Sequence, residues 1–190
     1  GLTWGVDAFN RIQDGLDAAA QATQTSTCEP DMATFQGCAR ISVGVSAGRY
    51  TEAVSLPSRV QLVGSGAELT TLTAGGSGVP LTAQDASEAE VSGMTITGAG
   101  SGQPGVLLSG TTHSVTLRRV LLRNNPIGVQ AAGGASGRIE FSTLVGSGTG
   151  VRATGSGSKL DVANSILTAT TGLETASQGL ILSNYNLIQA

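Results

Sequence analysis

Aromatic residues make up only 3% of this 190-residue chain and charged residues 12%, and there is a single histidine, His113. Average globular domains carry roughly 25% charged residues, so neither an aromatic core nor a dense ion-pair network can organise this one. Ten Lys and Arg against thirteen Asp and Glu give a formal charge of -3. A duplex nucleic acid needs clustered cations against its phosphates, and that balance makes nucleic acid and anionic membrane poor partners. No apolar run approaches the ~18 residues of a membrane span, and no charged segment followed by an apolar one opens the chain as a secretion signal would. Two cysteines and one histidine cannot supply a four-ligand zinc site. Cys28 and Cys38 bracket a loop containing Pro30, Asp31 and Gly37. A disulfide there would staple a segment poor in apolar residues, contributing about 2 to 3 kcal/mol, and would place the protein outside the cytosol as a mature or trimmed chain. The alternative is two reduced, partly buried thiols.

What is abundant is glycine, 28 residues of it, together with aliphatics at fixed spacing. From Ser114 onward the chain repeats itself four times: SVTLRRVLLRNNPIGVQA, RIEFSTLVGSGTGVRA, KLDVANSILTATTGLET and GLILSNYNLI. Val115, Ile139, Leu160 and Leu180 open the copies at intervals of 24, 21 and 20 residues, and Val106, Val129, Val151 and Leu173 recur at 23, 22 and 22. Such a period is the mark of a solenoid. The small residues then read as turns and thin-walled strands rather than as disorder.

Ahead of the repeats, Asp7 is placed to cap a helix through about Ala22, in which Phe9, Ile12, Leu16, Ala19 and Ala20 recur at helical spacing. A helix there would cover the open apolar end of the first coil. Trp4 precedes it as a packing anchor. The helix segment RIQDGLDAAA is followed by an I-x-V, by G-x-Y-x-E at Gly48, Tyr50 and Glu52, by Leu56-Pro57, and by VQLVGSG from Val60 to Gly66. This series resembles the N-terminal part of right-handed parallel β-helix proteins of the pectate-lyase-like superfamily, over essentially the whole chain. The resemblance implies an all-β, single-stranded right-handed parallel β-helix of six or seven coils with an N-terminal capping helix. One domain is expected over 1–190, with the cap helix and Cys loop at 1–38 and coils at 39–190. It leaves activity open, since the superfamily includes lyases, hydrolases, esterases, epimerases, phage tailspikes and surface proteins without chemistry. The N-T-D, D-D and G-H-G signatures of polygalacturonases, the D-P-H of alginate epimerases and the R-x-P-x-x-R of pectate lyases are all absent.

Function must then be sought among outward residues, which alternate with the inward aliphatics and stack from coil to coil. On the re-entry strand the outward column reads Leu107, Gln130, Arg152, Glu174, with Arg152 and Glu174 forming a cross-strand ion pair. On the opening strand it reads Glu90, Thr116, Glu140, Asp161, Ile181, beside a second column of Ser114, Arg138 and Lys159. Adjacent carboxylates at Glu140 and Asp161 could hold calcium or divide acid and base roles; Arg138 and Lys159 could equally neutralise them. Arg118, with Arg119 and Arg123, forms the basic cluster, and a cation at Arg118 suits the carboxylate of a uronate. His113 lies in a turn, where it is expected to bond backbone. Asn124, Asn125, Asn164 and Asn184 recur near coil corners as turn residues. The T-x-T pairs at Thr71, Thr95 and Thr168 fall in different registers, which excludes a flat threonine array. Gly-rich insertions at Gly75 to Gly78 and Gly98 to Gly105 mark a loop surface on one side of the coils.

These residues describe an exported module, secreted, periplasmic or on the cell surface, that presents Glu90, Arg118, Arg138, Arg152, Lys159 and Glu174 to a polysaccharide or protein without catalysis. The alternative is a polysaccharide lyase, hydrolase or epimerase using Arg118, Glu140 and Asp161. A further alternative is an adhesin or assembly module. The last coil, LILSNYNLIQA, carries no cap in the sequence, so its apolar end is expected to be covered by further chain or by another copy in a homo-oligomer.

Overall fold

Strands only a few residues long cannot shelter a core singly, and stacking them coil on coil is what satisfies both their backbone and their aliphatic side chains. A computed structural model describes residues 8–25 and 40–190. Within them the chain winds through three faces per coil, every strand pairing in parallel with its counterparts in the neighbouring coils. The first face is a seven-stranded sheet: Ile41–Val45, Val60–Gly64, Glu90–Ser92, Val115–Arg118, Ser136–Glu140, Lys159–Ala163 and Leu180–Asn184. The fold is thus an all-β parallel solenoid of seven coils, as the repeat and the resemblance implied. Trp4, Asp7, Cys28 and Cys38 lie outside the described residues, and so does the expected disulfide.

The second and third faces belong to one eleven-stranded sheet. In the early coils they are separate strands, such as Thr95–Thr97 and Pro104–Ser109, with a Gly-rich loop between them. In the later coils that loop has shrunk until Thr143–Thr154 and Ile166–Ala176 each run through both faces, with a register shift between Val145 and Ser147. The long loops do not hang free. Gly76 donates to the Gly98 carbonyl at 2.9 Å and Gly100 to the Gly78 carbonyl at 2.8 Å. Asn125, 1% exposed, braces the second loop from the next coil, its Nδ2 donating to the Ile96 carbonyl and its Oδ1 accepting from Ala99.

Inward residues are aliphatic almost throughout: Leu62, Leu72, Leu81, Val91, Ile96, Leu117, Leu122, Leu144, Leu160 and Leu167 are fully buried in a single cluster. The opening helix runs Ile12–Thr25, beginning and ending later than the sequence suggests, and buries Ile12, Leu16 and Ala19 against the first coil. Its amino end is capped from forty residues away. The Glu52 carboxylate accepts the Ile12 N–H at 2.9 Å and the Gln13 N–H at 3.2 Å, and Arg11 lies 3.7 Å from it. Two otherwise orphaned donors and the positive end of the helix dipole are satisfied together. Tyr50, from the same G-x-Y-x-E, donates its hydroxyl to the Ser46 carbonyl. The residues that carried the resemblance are therefore spent on closing the end of the solenoid.

Serines build the stack that the sequence suggests for asparagines. At the corner after the first face, Val120 N–H donates to Ser142 Oγ, Ser142 N–H to Ser165 Oγ, and Ser165 N–H to Asn186 Oδ1, at 3.3, 3.2 and 2.8 Å. Asn124 and Asn164 adopt the expected left-handed backbone, but Asn164 stands outside this ladder. Thr71 and Thr73 do pair in register with Thr95 and Thr97, contrary to expectation, because both segments end their strands directly ahead of a Gly-rich loop. No flat array results: the column continues as Leu121 and Arg123, and Thr73 and Thr95 are buried.

Replacing Glu52 with Ala should lower unfolding free energy by about 1 to 2 kcal/mol, as loss of a helix cap does. Urea denaturation would measure it; no loss would mean that the helix does not depend on this carboxylate.

Candidate functional site

Register decides which outward side chains meet, and on the first face it differs from the expected one. Gly137 pairs with Val115 and with Leu160, while Ile139 pairs with Leu117 and Val162. The inward slot between Val115 and Leu160 therefore holds no side chain. A Cβ at Gly137 would meet Leu108 Cδ1 of the third face and the Val115 carbonyl. With that slot empty of an aliphatic, the sequence offers Ile139 as the partner of Val115, two residues too late. The last coil is displaced as well: Ile181 turns inward opposite Leu160, and Leu180 and Leu182 face out.

The true outward columns are Gln61, Glu90, Thr116, Arg138, Asp161, Leu182 and, beside it, Val63, Ser92, Arg118, Glu140, Ala163, Asn184. The expected adjacency of Glu140 and Asp161 is thus incorrect. Arg138 stands beside Asp161, and Glu140 stands beside Arg118. Each carboxylate is taken by a cation on its own strand: Glu140 Oε1 by Arg138 Nε at 2.7 Å, and Asp161 Oδ2 by Lys159 Nζ at 3.7 Å. Glu90 lies 3.9 Å from Arg40. Among the described residues no group of three or more His, Cys, Asp or Glu comes together as a metal site would require.

Arg118 differs from its neighbours. It is half-buried, it makes no ion pair among the described residues, and its Nε is shut off from solvent without a hydrogen-bond partner. Its guanidinium lies over the Phe141 ring, 5.3 Å from the centroid, a cation–π contact that fixes both side chains. The other two arginines of the cluster go elsewhere: Arg119 is at the corner and Arg123 is on the second face. His113, in the turn before the first face, donates from Nδ1 to the Thr111 carbonyl at 2.9 Å, the backbone role expected of it.

On the third face the column Leu107, Gln130, Arg152, Glu174 stands as read from the sequence. Arg152 donates to Glu174 Oε2 at 2.8 Å, and Thr149 Oγ1 donates to the same oxygen at 3.0 Å. The Arg152 hydrogen bond, helped by Thr149, holds the Glu174 carboxyl below its ordinary pKa against the opposing effect of burial. Asp85 is likewise held low, by the backbone N–H and hydroxyl of Thr111. It sits at a turn between the third and first faces and serves the backbone there.

Phe141 and Tyr185 are the exposed aromatics of this region, at 50% and 91%, and sequence reasoning passed over both. The signal was present: Arg119, Phe141, Asn164 and Tyr185 follow one another at 22, 23 and 21 residues, the solenoid period itself.

No protein-family model matches the chain, and no curated protein matches it. Among solved structures it is similar to a protein from Parabacteroides merdae provisionally designated a glycosyl hydrolase, with a TM-score of 0.68 over 98% of this chain and 92% of that one at 12% identity. A likeness at that identity establishes the shared fold.

Because Glu174 has a lowered pKa in the folded state, its ion pair stabilises the protein above the ordinary carboxylate value of 4.5 and the contribution disappears as pH falls through the lowered one. A Glu174→Gln variant should melt below the wild type at neutral pH, by under about 1 kcal/mol for so exposed a pair. The gap should close in acid. A gap that stays constant down to the acid end would show that the ion pair is not its source.

Proposed function

We propose that the first face is a carbohydrate-binding surface for an acidic glycan and that it binds without catalysing a reaction. The observation that carries this is the distribution of charge: Glu90, Glu140 and Asp161 each lie against a cation, whereas Arg118 is left with its guanidinium propped on Phe141 and no acid of its own. A carboxylate held against a neighbouring cation is less open to a ligand than an unpaired charge. A guanidinium held over an aromatic ring and without an acid partner is a good partner for a uronate carboxylate. A seven-stranded parallel sheet offers an extended polymer a repeating row of contacts, and the fold is shared with a protein provisionally designated a glycosyl hydrolase, which is in keeping with a carbohydrate ligand. An exported location belongs to the same proposal and rests on Cys28 and Cys38.

Turnover of an acidic glycan is the second reading, and one observation favours it: Arg118 and Glu140 are register partners on adjacent strands. Calorimetric titration with a polyuronate, alongside an assay for cleavage or epimerisation with and without calcium, separates the two. Binding without turnover is expected, with Arg118→Ala weakening affinity about 10- to 100-fold, as for loss of a charged hydrogen bond. Turnover by the wild type that Arg118→Ala abolishes would replace binding with catalysis.

A further inference from the structure

The corner between the first and second faces is occupied in successive coils by Gly93, Arg119, Phe141, Asn164 and Tyr185. All five have left-handed backbone, with φ of 64°, 53°, 49°, 51° and 56°. Backbone hydrogen bonds tie the corners into a line: Gly93 N–H to the Arg119 carbonyl, Arg119 N–H to Glu140, Phe141 N–H to Ala163, and Asn164 N–H to Asn184. Glycine and asparagine accept this conformation readily; bulky side chains do not. Phe141 and Tyr185 therefore carry strain, and at Phe141, 50% exposed within the stack of coils, burial does not compensate it. The residue after each corner, Met94, Val120, Ser142, Ser165 or Asn186, turns back toward the interior, so the corner side chains themselves stand outward. Two exposed rings in line with the outward side chains of Arg119 and Asn164, on left-handed corners, make a row of the kind a ligand site presents.

We infer that Arg119, Phe141, Asn164 and Tyr185 form a sugar-stacking ridge for a single acidic glycan chain running along the solenoid axis, across the strands. This rests on the carbohydrate reading above and assigns it a second row of contacts. Coils are roughly 4.8 Å apart, close to the length of one pyranose in an extended glycan, so successive sugars meet successive corners. Phe141 and Tyr185, roughly 10 Å apart by the same spacing, take the apolar faces of two sugars separated by one. Asn164 offers its amide to the hydroxyls of the sugar between them. Arg119, exposed and without an ion pair among the described residues, meets an acidic substituent one coil beyond Phe141. Arg118 beneath the Phe141 ring holds that platform in place before the ligand arrives.

The test uses Tyr185→Asn, which installs the residue the same corner already uses at Asn164 and leaves Phe141 propping Arg118. Relief of left-handed strain should leave its melting temperature equal to or above that of the wild type, while affinity for a polyuronate falls at least tenfold. Tyr185→Phe should bind within twofold of the wild type, because the ring is kept. A wild type that binds while Tyr185→Asn binds equally well would remove the ridge and leave the first-face proposal standing. Weaker binding accompanied by a lower melting temperature would also remove it, by showing that the ring serves the fold. A wild type that binds neither a polyuronate nor a neutral β-1,4-glucan would overturn both proposals.

Discussion

Among the described residues, each strand satisfies its ladder of backbone hydrogen bonds only through the neighbouring coils. That single constraint fixes the rest. Parallel ladders between successive coils set the register, register sets which outward residues become neighbours, and neighbours determine the charge pattern of each face. Because the core is only a few aliphatics wide at any level, no long-range packing overrides the ladder. Arg118 stands beside Glu140 and Arg138 beside Asp161 as consequences of where Gly137 and Leu160 settle.

The same constraint makes the corners informative. A strand that must turn at the same level in every coil repeats the same backbone conformation, and here that conformation is left-handed at the corner after the first face. The chemistry of such a position is simple: glycine costs nothing, asparagine little, and a bulky ring much more. Departures from the inexpensive choice are therefore visible against their own neighbours, coil by coil. Few folds supply so direct an internal comparison.

How far the sequence could be read depended on whether a side chain marked the inward slot. On the third face Val106, Val129, Val151 and Leu173 mark it in consecutive coils, and the outward column through Arg152 and Glu174 was legible. On the first face Gly137 leaves the slot blank and Leu180 puts a leucine outside, so the aliphatic pattern alone pointed to a register that placed Glu140 against Asp161. Arg118 was recognisable as an outward cation, but its Phe141 partner was not, because a lone aromatic after an alternating strand ordinarily signals core. Serines 142 and 165 gave no sign of their ladder, since serine suits a turn, a strand edge or a corner equally well.

The capping helix has a further meaning for how this molecule comes apart. Glu52 holds the helix start, Gln13 accepts the Ser55 N–H, and Arg59 donates to the Thr23 carbonyl, so the cap is latched along the length of the first coil. A fourteen-residue helix is marginal by itself, and terminal repeats of a stacked array are where fraying begins. The latch joins those two weak points, so that opening the first coil at this end also costs the contacts that hold the helix.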